Sequence, residues 1–471
     1  MNSVALKNGG MHKTTQEDNP HIAQKAGIHM NILIIGGGGR EHVITKYIAR
    51  NPKATKIYAL PGNAGISQFA ECVNISAEDI NGMISFAQSH AIDFAIVAPD
   101  DPLALGAVDR LEEIGIKCFG PSQKAAQIES SKVFAKDSMR KHNIPTAKYE
   151  VFTDIDAALS YVAISDCPIV IKADGLAKGK GVTVAENFQQ AREAIMSCMK
   201  AKTFGKSGER IIIEECLTGP EVTVLAFTDG KTIVPMISSM DHKRAYDGNK
   251  GPNTGGMGVI APNPYYTPQI ADECMKRIFL PTIAAMNEEG HKFKGCLYFG
   301  LMLTKDGPKV IEYNCRFGDP EAEAVLPLME SDLLEVMLAV SDERLCGYGA
   351  TPLSASRVPP TLGGMSSAVR QEGVKFRKGA SCCVVCASSG YPGHYLTGYP
   401  IDFGDADDMA GVEIFHAGTK SEGGKILTAG GRVLAVNAVG DDAESSRALA
   451  YEAVSRISFE GMRYRSDIGA N

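Results

Sequence analysis

The sequence predicts a multidomain α/β protein. A doubly wound parallel sheet comes first, antiparallel sheet follows, and a small mixed region closes the chain. Three observations carry this. From Met30, short apolar runs alternate with helical patterns, as in a parallel sheet covered by helices. From Pro168, apolar runs are joined by glycine-rich turns, the signature of hairpins. After about residue 355 the chain returns to short strands and turns. A length of 471 residues suits about three domains.

In the first region the predicted strands are Ile32–Ile35, Ile57–Leu60, Phe94–Ala98 and Lys117–Phe119, with helices over Glu41–Arg50 and Pro102–Ile114. The loops after these strands are GGGGRE, PGNAG, APDDP and FGPS. Ligands of such sheets bind at the C-terminal ends of the strands, so the four loops can line one small-molecule site. The next region contains PIVIKADGLAKGKGVTVA (168–185), read as strand, glycine-rich loop, strand. It also contains IIIEECLTGPEVTVLAF (211–227), read as two strands with a turn. DHKRAYDGNKGPNTGGMG (241–258) is a long polar loop, a length that marks function or disorder. CLYFGLMLTKDGPKVIEYNCRFGDPEAEAVLP (296–327) reads as a hairpin leading into a helix. Residues 1–29 are polar, lack a signal-peptide core, and are read as a disordered extension.

Composition excludes several classes. The charge is −7, from 48 basic and 55 acidic residues, without a long basic run, so no nucleic-acid partner is expected. No apolar segment reaches 18 residues, so no membrane partner is expected. Twelve cysteines in so long a chain favour reduced thiols and a cytoplasmic setting. Cys383-x-x-Cys386 lies in an apolar, β-branched run and lacks a second pair, so buried strand cysteines are expected there.

The glycine turn of NILIIGGGGREH does not fit a dinucleotide. From Gly36 the second glycine is Gly38, but the third position is Glu41. Amides of Gly37, Gly38 and Gly39 at a helix N-terminus attract an anion, and Arg40 can add a bidentate contact. A single phosphate therefore fits better, although such a turn also occurs without any ligand. GLAKGKGV is not a Walker loop, because only three residues separate Gly175 and Gly179. Lys178 and Lys180 can still close over polyphosphate, or form a solvated basic hairpin. Lys172, at the end of an apolar strand, is placed to meet an internal anion. Lys132, opening a helix, is a second candidate.

IEYNCRFGDPE carries the strongest signal. Residues i and i+2 of a strand share a face, so Glu312 and Asn314 project together and Arg316 follows. Two oxygen donors suit Mg²⁺, which also takes phosphates and water. Arg316 can stabilise charge on a phosphoryl group.

Taken in order, these stretches resemble the ATP-grasp ligases, and within them the glycinamide ribonucleotide synthetase (phosphoribosylamine–glycine ligase) family. SKVFAK, SGYPGHYLTGYPI, FHAGT, GGRVLAV and FEGMRYRSDIG extend the match nearly to the C-terminus. The resemblance implies an N-terminal substrate-binding domain over 30–131. It implies an ATP-grasp domain over 132–354 with a lid at about 152–218, and a C-terminal domain over 355–465. It implies ATP-dependent ligation of glycine to 5-phosphoribosylamine through glycyl phosphate, in purine synthesis, by a monomer of single activity. Glu312 and Asn314 would hold Mg²⁺ or Mn²⁺. Lys132 and Lys172 would contact ATP phosphates, under a lid of Gly175, Lys178, Lys180 and Gly181. Adenine would lie against Glu214, Glu215 and Leu217, and Glu221 would accept from the ribose. Arg316 would steady the transferred phosphoryl group. Asp241, Lys243, Asn253, Thr254, Gly255 and Gly256 would enclose the acceptor side. Gly37, Gly38, Gly39, Arg40, Glu41, Gly62, Asn63 and Asp100 would hold phosphoribosylamine.

Two departures stand out. Ala98-Pro99-Asp100 replaces a family Gly-Pro-Glu, with a shorter carboxylate. The strand Gly300–Thr304 lacks the further metal-binding carboxylate that wider ATP-grasp enzymes often carry.

Overall fold

The computed structural model describes residues 29–176, 181–203, 205–348, 351–352 and 374–470. The extension over 1–28, Lys178, Lys180 and the 354/355 boundary lie outside the described residues.

The first sheet is parallel. Its strands are β1 (Met30–Gly36), β2 (Ala54–Pro61), β3 (Glu71–Cys72), β4 (Phe94–Val97) and β5 (Lys117–Phe119), in the order β3-β2-β1-β4-β5. Ile32 to Ile35 are fully buried, because both faces of such a sheet are covered. The order reverses beside β1, so the loops after β1 and β4 open on one crevice. Helix α1 (Gly39–Ile48) leaves the glycine turn with a capping box: the Glu41 carboxylate accepts from the Gly38 amide at 2.6 Å. The expected helix over Pro102–Ile114 is two helices, Asp100–Ala104 and Ala107–Glu113. Gly106 breaks it, with φ +84°.

Four antiparallel strands form a smaller sheet: β6 (Tyr149–Phe152), β7 (Ile169–Ala173), β8 (Val182–Ala185) and β9 (Ile211–Glu215), in the order β6-β9-β7-β8. It has its own apolar cluster, with Ile169, Ile171, Ile211 and Ile213 at its centre. Helix α2 (Lys132–Lys141) runs ahead of it, capped by Ser131.

The central sheet contains β10 (Glu221–Thr228) and β11 (Thr232–Pro235). A long excursion follows, with β12 (Met240–Asp241), the hairpin β13 (Arg244–Tyr246) and β14 (Lys250–Asn253), and β15 (Gly258–Ala261). The chain returns as β16 (Gly295–Thr304), β17 (Gly307–Asn314) and β18 (Thr351–Pro352), giving the order β17-β16-β10-β11-β18. The hairpin β16–β17 leads into α3 (Glu321–Val325), as the sequence predicts. The turn at 216–220 is not a hairpin, however. It carries the chain from β9 in one sheet to β10 in another. A local pattern shows where strands begin and end but not which neighbour they choose.

The last region supplies β19 (Ala380–Ser388), β20 (Val412–His416), the hairpin β21 (Thr419–Glu422) and β22 (Lys425–Thr428), β23 (Arg432–Gly440), helix α4 (Ala443–Arg456) and β24 (Met462–Arg463). Strands β12 and β15 of the central excursion join this sheet, in the order β12-β15-β19-β23-β20 with β24 on β19. The long polar loop is therefore anchored on a scaffold built by the C-terminal residues. Cys382, Cys383 and Cys386 are buried free thiols in β19. Among the described residues no helix is long and apolar enough to cross a membrane.

Candidate active site

The end of β17 organises the site. Glu312 pairs with Gly300, but Val310 pairs with Leu301, so Ile311 is an extra residue in a bulge. Its carbonyl accepts from Lys172 Nζ at 3.1 Å. Glu312 Oε1 lies 3.2 Å from Lys243 Nζ. That ammonium, against the cost of burial and with further help from Lys172 and Lys132, holds the Glu312 carboxyl at about 2. Glu312 is thus an ionised oxygen donor inside a ring of three lysines. Glu221, at the start of β10, is 3.7 Å from the same Lys243 Nζ and half exposed.

Lysines line the approach from the small sheet. Lys172 Nζ and Lys136 Nζ share Glu214 Oε2, at 3.0 and 3.2 Å, and all three side chains are buried. Burial lowers the Lys136 ammonium to about 8 despite Glu214. Lys132 Nζ donates to the Gly175 carbonyl at 2.7 Å, just beyond the end of β7. Glu215 accepts from the Lys148 amide at 3.0 Å and lies 3.5 Å from Lys309. Leu217 follows in the crossing between the two sheets. Glu214 Oε2 and the Glu215 carboxylate are thus taken by lysines and backbone, Glu214 Oε1 is buried without a partner, and the backbone of both residues is paired within the sheet, so that the segment leaves the sheet only at 216–217.

Arg316 is held from three sides. Its guanidinium donates to Glu129 Oε1 at 2.9 Å, Asn314 Oδ1 at 3.1 Å and the Phe317 carbonyl at 3.0 Å, while Nε is buried without a partner. Burial opposes its charge, but Glu129 and Asp100 outweigh burial and keep it protonated. Asp100 thus belongs to this cluster, and its charge also acts on Arg40.

The glycine turn faces the same crevice. Arg40 Nε pairs with Glu41 Oε1 at 2.7 Å, and its other arm donates to the Phe317 carbonyl at 3.1 Å. The Arg40 amide donates to Asp319 Oδ2 at 3.3 Å. One amide of the expected phosphate seat, that of Gly38, and the neighbouring Arg40 amide are thus taken by carboxylates. Gly37 packs so closely on Gly62 that a Cβ would strike the Gly62 carbonyl. Gly39 packs likewise on Glu323. Asn63 donates to the Gly37 and His416 carbonyls, at 3.0 and 2.7 Å, and accepts from the amides of Gly65 and Ile66, both at 2.9 Å. It is a staple between the turn and β20.

On the acceptor side, Thr254 donates its hydroxyl to the Lys243 carbonyl at 2.8 Å and accepts from the Gly256 amide at 3.0 Å. Asn253 pairs with Arg244 across the β13–β14 hairpin. Asp241 Oδ1 is buried without a partner. Burial, then Glu321, push its carboxyl well above the usual range. Burial, then Asp319, do the same for Glu323 in α3, whose two oxygens are also unpartnered.

The structure thus gathers Glu312, Asn314, Arg316, Lys132, Lys172, Lys243, Glu221 and Asp100 around one crevice. Sequence reasoning missed Glu129, Lys136, Asp319, Glu321, Glu323 and Arg432. Asp319 and Glu321 stand inside RFGDPE and Arg432 inside GGRVLAV, so the signal was present without a role. Glu129 gave none. Among the described residues no three His, Cys, Asp or Glu side chains are grouped to hold a metal. Ionised Glu312 and the amide oxygen of Asn314 fit a divalent ion whose remaining ligands are phosphates and water.

Comparison with known proteins agrees with this arrangement. The profile "Phosphoribosylglycinamide synthetase, N domain" matches residues 30–129, "ATP-grasp (A) domain" matches 130–322 and "C domain" matches 381–471. The chain is 44% identical to the phosphoribosylamine–glycine ligase of Caldanaerobacter subterraneus subsp. tengcongensis, over 94% of this chain and 100% of that one. It is 45% identical to the ligase of the same name from Vibrio vulnificus, over 93% and 98%. The crystal structure of phosphoribosylamine–glycine ligase from Thermotoga maritima superposes with a TM-score of 0.77 at 29% identity, over 93% and 100%. Biotin carboxylase from Campylobacter jejuni shares the fold alone, with a TM-score of 0.69 at 16% identity over 92% and 93%. The three profiles follow one another along the chain, the relatives match it over nearly their whole length, and the chain belongs to the phosphoribosylamine–glycine ligase family of ATP-grasp carbon–nitrogen ligases.

Proposed function

We propose that this protein joins glycine to 5-phosphoribosylamine with ATP and Mg²⁺ or Mn²⁺, giving glycinamide ribonucleotide, ADP and phosphate. The observation that carries it is the end of β17, where Glu312 stands within the charge of Lys132, Lys172 and Lys243 and Asn314 accepts from Arg316. Phosphoryl transfer mainly needs positioning and neutralised charge, and this cluster supplies both. A glycine carboxylate oxygen attacks the γ-phosphorus, the bond to the β-γ bridging oxygen breaks, and ADP leaves. The amine of phosphoribosylamine then attacks the acyl carbon of glycyl phosphate. The carbon–oxygen bond to phosphate breaks, and the amine loses a proton.

Glu312 and Asn314 would hold the metal, which would neutralise charge on the transferred phosphate. Lys132 and Lys172 neutralise the nucleotide phosphates, and Arg316 steadies the group in transit. Adenine lies against the segment 214–217, and Glu221 accepts from its ribose. Asp241, Lys243 and the 253–256 segment close on glycine. The glycine turn, Arg40, Asn63 and Asp100 receive the second substrate, whose phosphate replaces Asp319 at the Arg40 amide. The domain division at 131 and about 354, with a lid at about 152–218, belongs to the same reading. The separate apolar cluster of the small sheet supports a lid that moves as a unit.

The test is release of ADP and phosphate with Mg-ATP plus glycine, plus phosphoribosylamine generated in situ, and plus both. Release that needs both substrates is expected. Binding of ATP without release under any of the three conditions would sink the reading.

A further inference from the structure

Arg432 is the first residue of β23, yet its guanidinium leaves the C-terminal sheet and reaches the crevice. Nη1 donates to the carbonyls of Gly255, at 3.0 Å, and Asp319, at 2.7 Å, with a longer approach of 3.4 Å to Gly256. Nη2 pairs with Asp319 Oδ1 at 2.8 Å. Gly255 lies flat beneath it, so that a Cβ there would come within 3.0 to 3.2 Å of the guanidinium carbon and nitrogens. The Gly255 amide donates to the hydroxyl of Tyr391, also from the C-terminal region, at 3.2 Å. Asp319 in turn reaches the Arg40 amide through its other oxygen.

One cation therefore ties the 253–256 segment to the RFGDPE loop, whose Asp319 also reaches the glycine turn until the second substrate binds. Both terminal nitrogens face protein acceptors, so the residue acts through these loops. Charge-assisted bonds of this kind are strong and directional. A displacement of about 1 Å at reacting groups costs up to about 10²-fold in rate.

We infer that Arg432 is a positioning residue for the second half-reaction. It keeps the acceptor pocket closed around the acyl phosphate, so that the amine and not water is the nucleophile. This rests on the ligase reading given above. The hairpin end of the same excursion is held by the C-terminus as well. Arg465 donates to the Arg244 carbonyl at 3.0 Å, and Asp467 accepts from the Gly248 amide at 2.8 Å. Arg432 is the part of this support that lies at the crevice.

The experiment measures ADP and amide product together for the full chain, with separate titrations of ATP, glycine and phosphoribosylamine generated in situ. In Arg432→Met the KM for phosphoribosylamine should rise about tenfold or more while that for ATP holds. ADP formed per amide product should climb above one, because glycyl phosphate is lost to water. Arg432→Lys should recover part of the coupling, since an ammonium can keep Asp319 but not all the carbonyls. Gly255→Ala, which displaces the guanidinium without removing it, should shift the same two quantities and serves if Arg432→Met does not fold. One ADP per product in Arg432→Met with an unmoved amine KM would overturn the inference. So would a parallel rise of the ATP and amine KM values. A wild-type protein that makes no ADP with both substrates would instead overturn the ligase reading itself.

Discussion

The glycine turn before α1 and the end of β17 are opposite in charge and alike in design. The turn presents amides and Arg40, an anion seat, and carboxylates from Glu41 and Asp319 occupy it. The strand end presents Glu312, a cation seat, and Lys243 occupies it. Each seat holds a side chain with the sign of the proposed ligand. Buried polar groups without a partner are costly, so seats this enclosed need internal counter-charges. The two differ in how tightly these are bound. Glu41 is part of the helix cap and is fully buried. Lys243 is partly exposed and sits on a long excursion. The cation seat should therefore exchange its stand-in readily, whereas at the anion seat only Asp319, at a longer 3.3 Å, can yield.

The largest effect should come from the cation seat. Glu312→Ala removes the ionised donor and should lower turnover by on the order of 10²- to 10³-fold, with a drop in the thermal midpoint because Lys243 loses its carboxylate. Normal turnover at saturating Mg²⁺ would break the assignment. Next comes the anion seat. Arg40→Ala should raise the KM for phosphoribosylamine by about tenfold and leave that for ATP unchanged. An equal rise in both would make Arg40 purely structural.

A pH titration sharpens the contrast. Glu312 is held at about 2, below its ordinary 4.5. Its pairing therefore contributes stability that is full above about 4.5 and is lost as pH falls toward about 2. Urea midpoints should fall more steeply below about pH 4.5 in wild type than in Glu312→Gln. The smallest effect on turnover should be Glu41→Gln. It weakens a cap and unpairs the buried Arg40, and should cost about 3 kcal/mol of stability without changing the ATP KM. A large loss of amine binding instead would mean that Glu41 touches substrate.

Much of this contrast was legible beforehand. The period-two spacing of Glu312 and Asn314 survives in β17, although the bulge at Ile311 was invisible to it. The glycine turn was legible as an anion seat. The carboxylate that reaches it from Asp319, 279 residues away, was not. The two strands around 216–220 were recognised, but their division between two sheets was not, because the turn residues look the same in either case.

The sequence by itself determined the strand and helix positions of the first sheet, the hairpin that ends in RFGDPE, and the family. These follow from periodicity, turn chemistry and motif order, all properties of neighbouring residues. The tertiary structure alone decided which charges meet. Arg316 pairs with Glu129 across 187 residues, Lys136 and Lys172 share Glu214, and Arg432 clamps two loops from another region. The strength of an ion pair depends on through-space distance and burial, and neither is written in the spacing of residues along the chain.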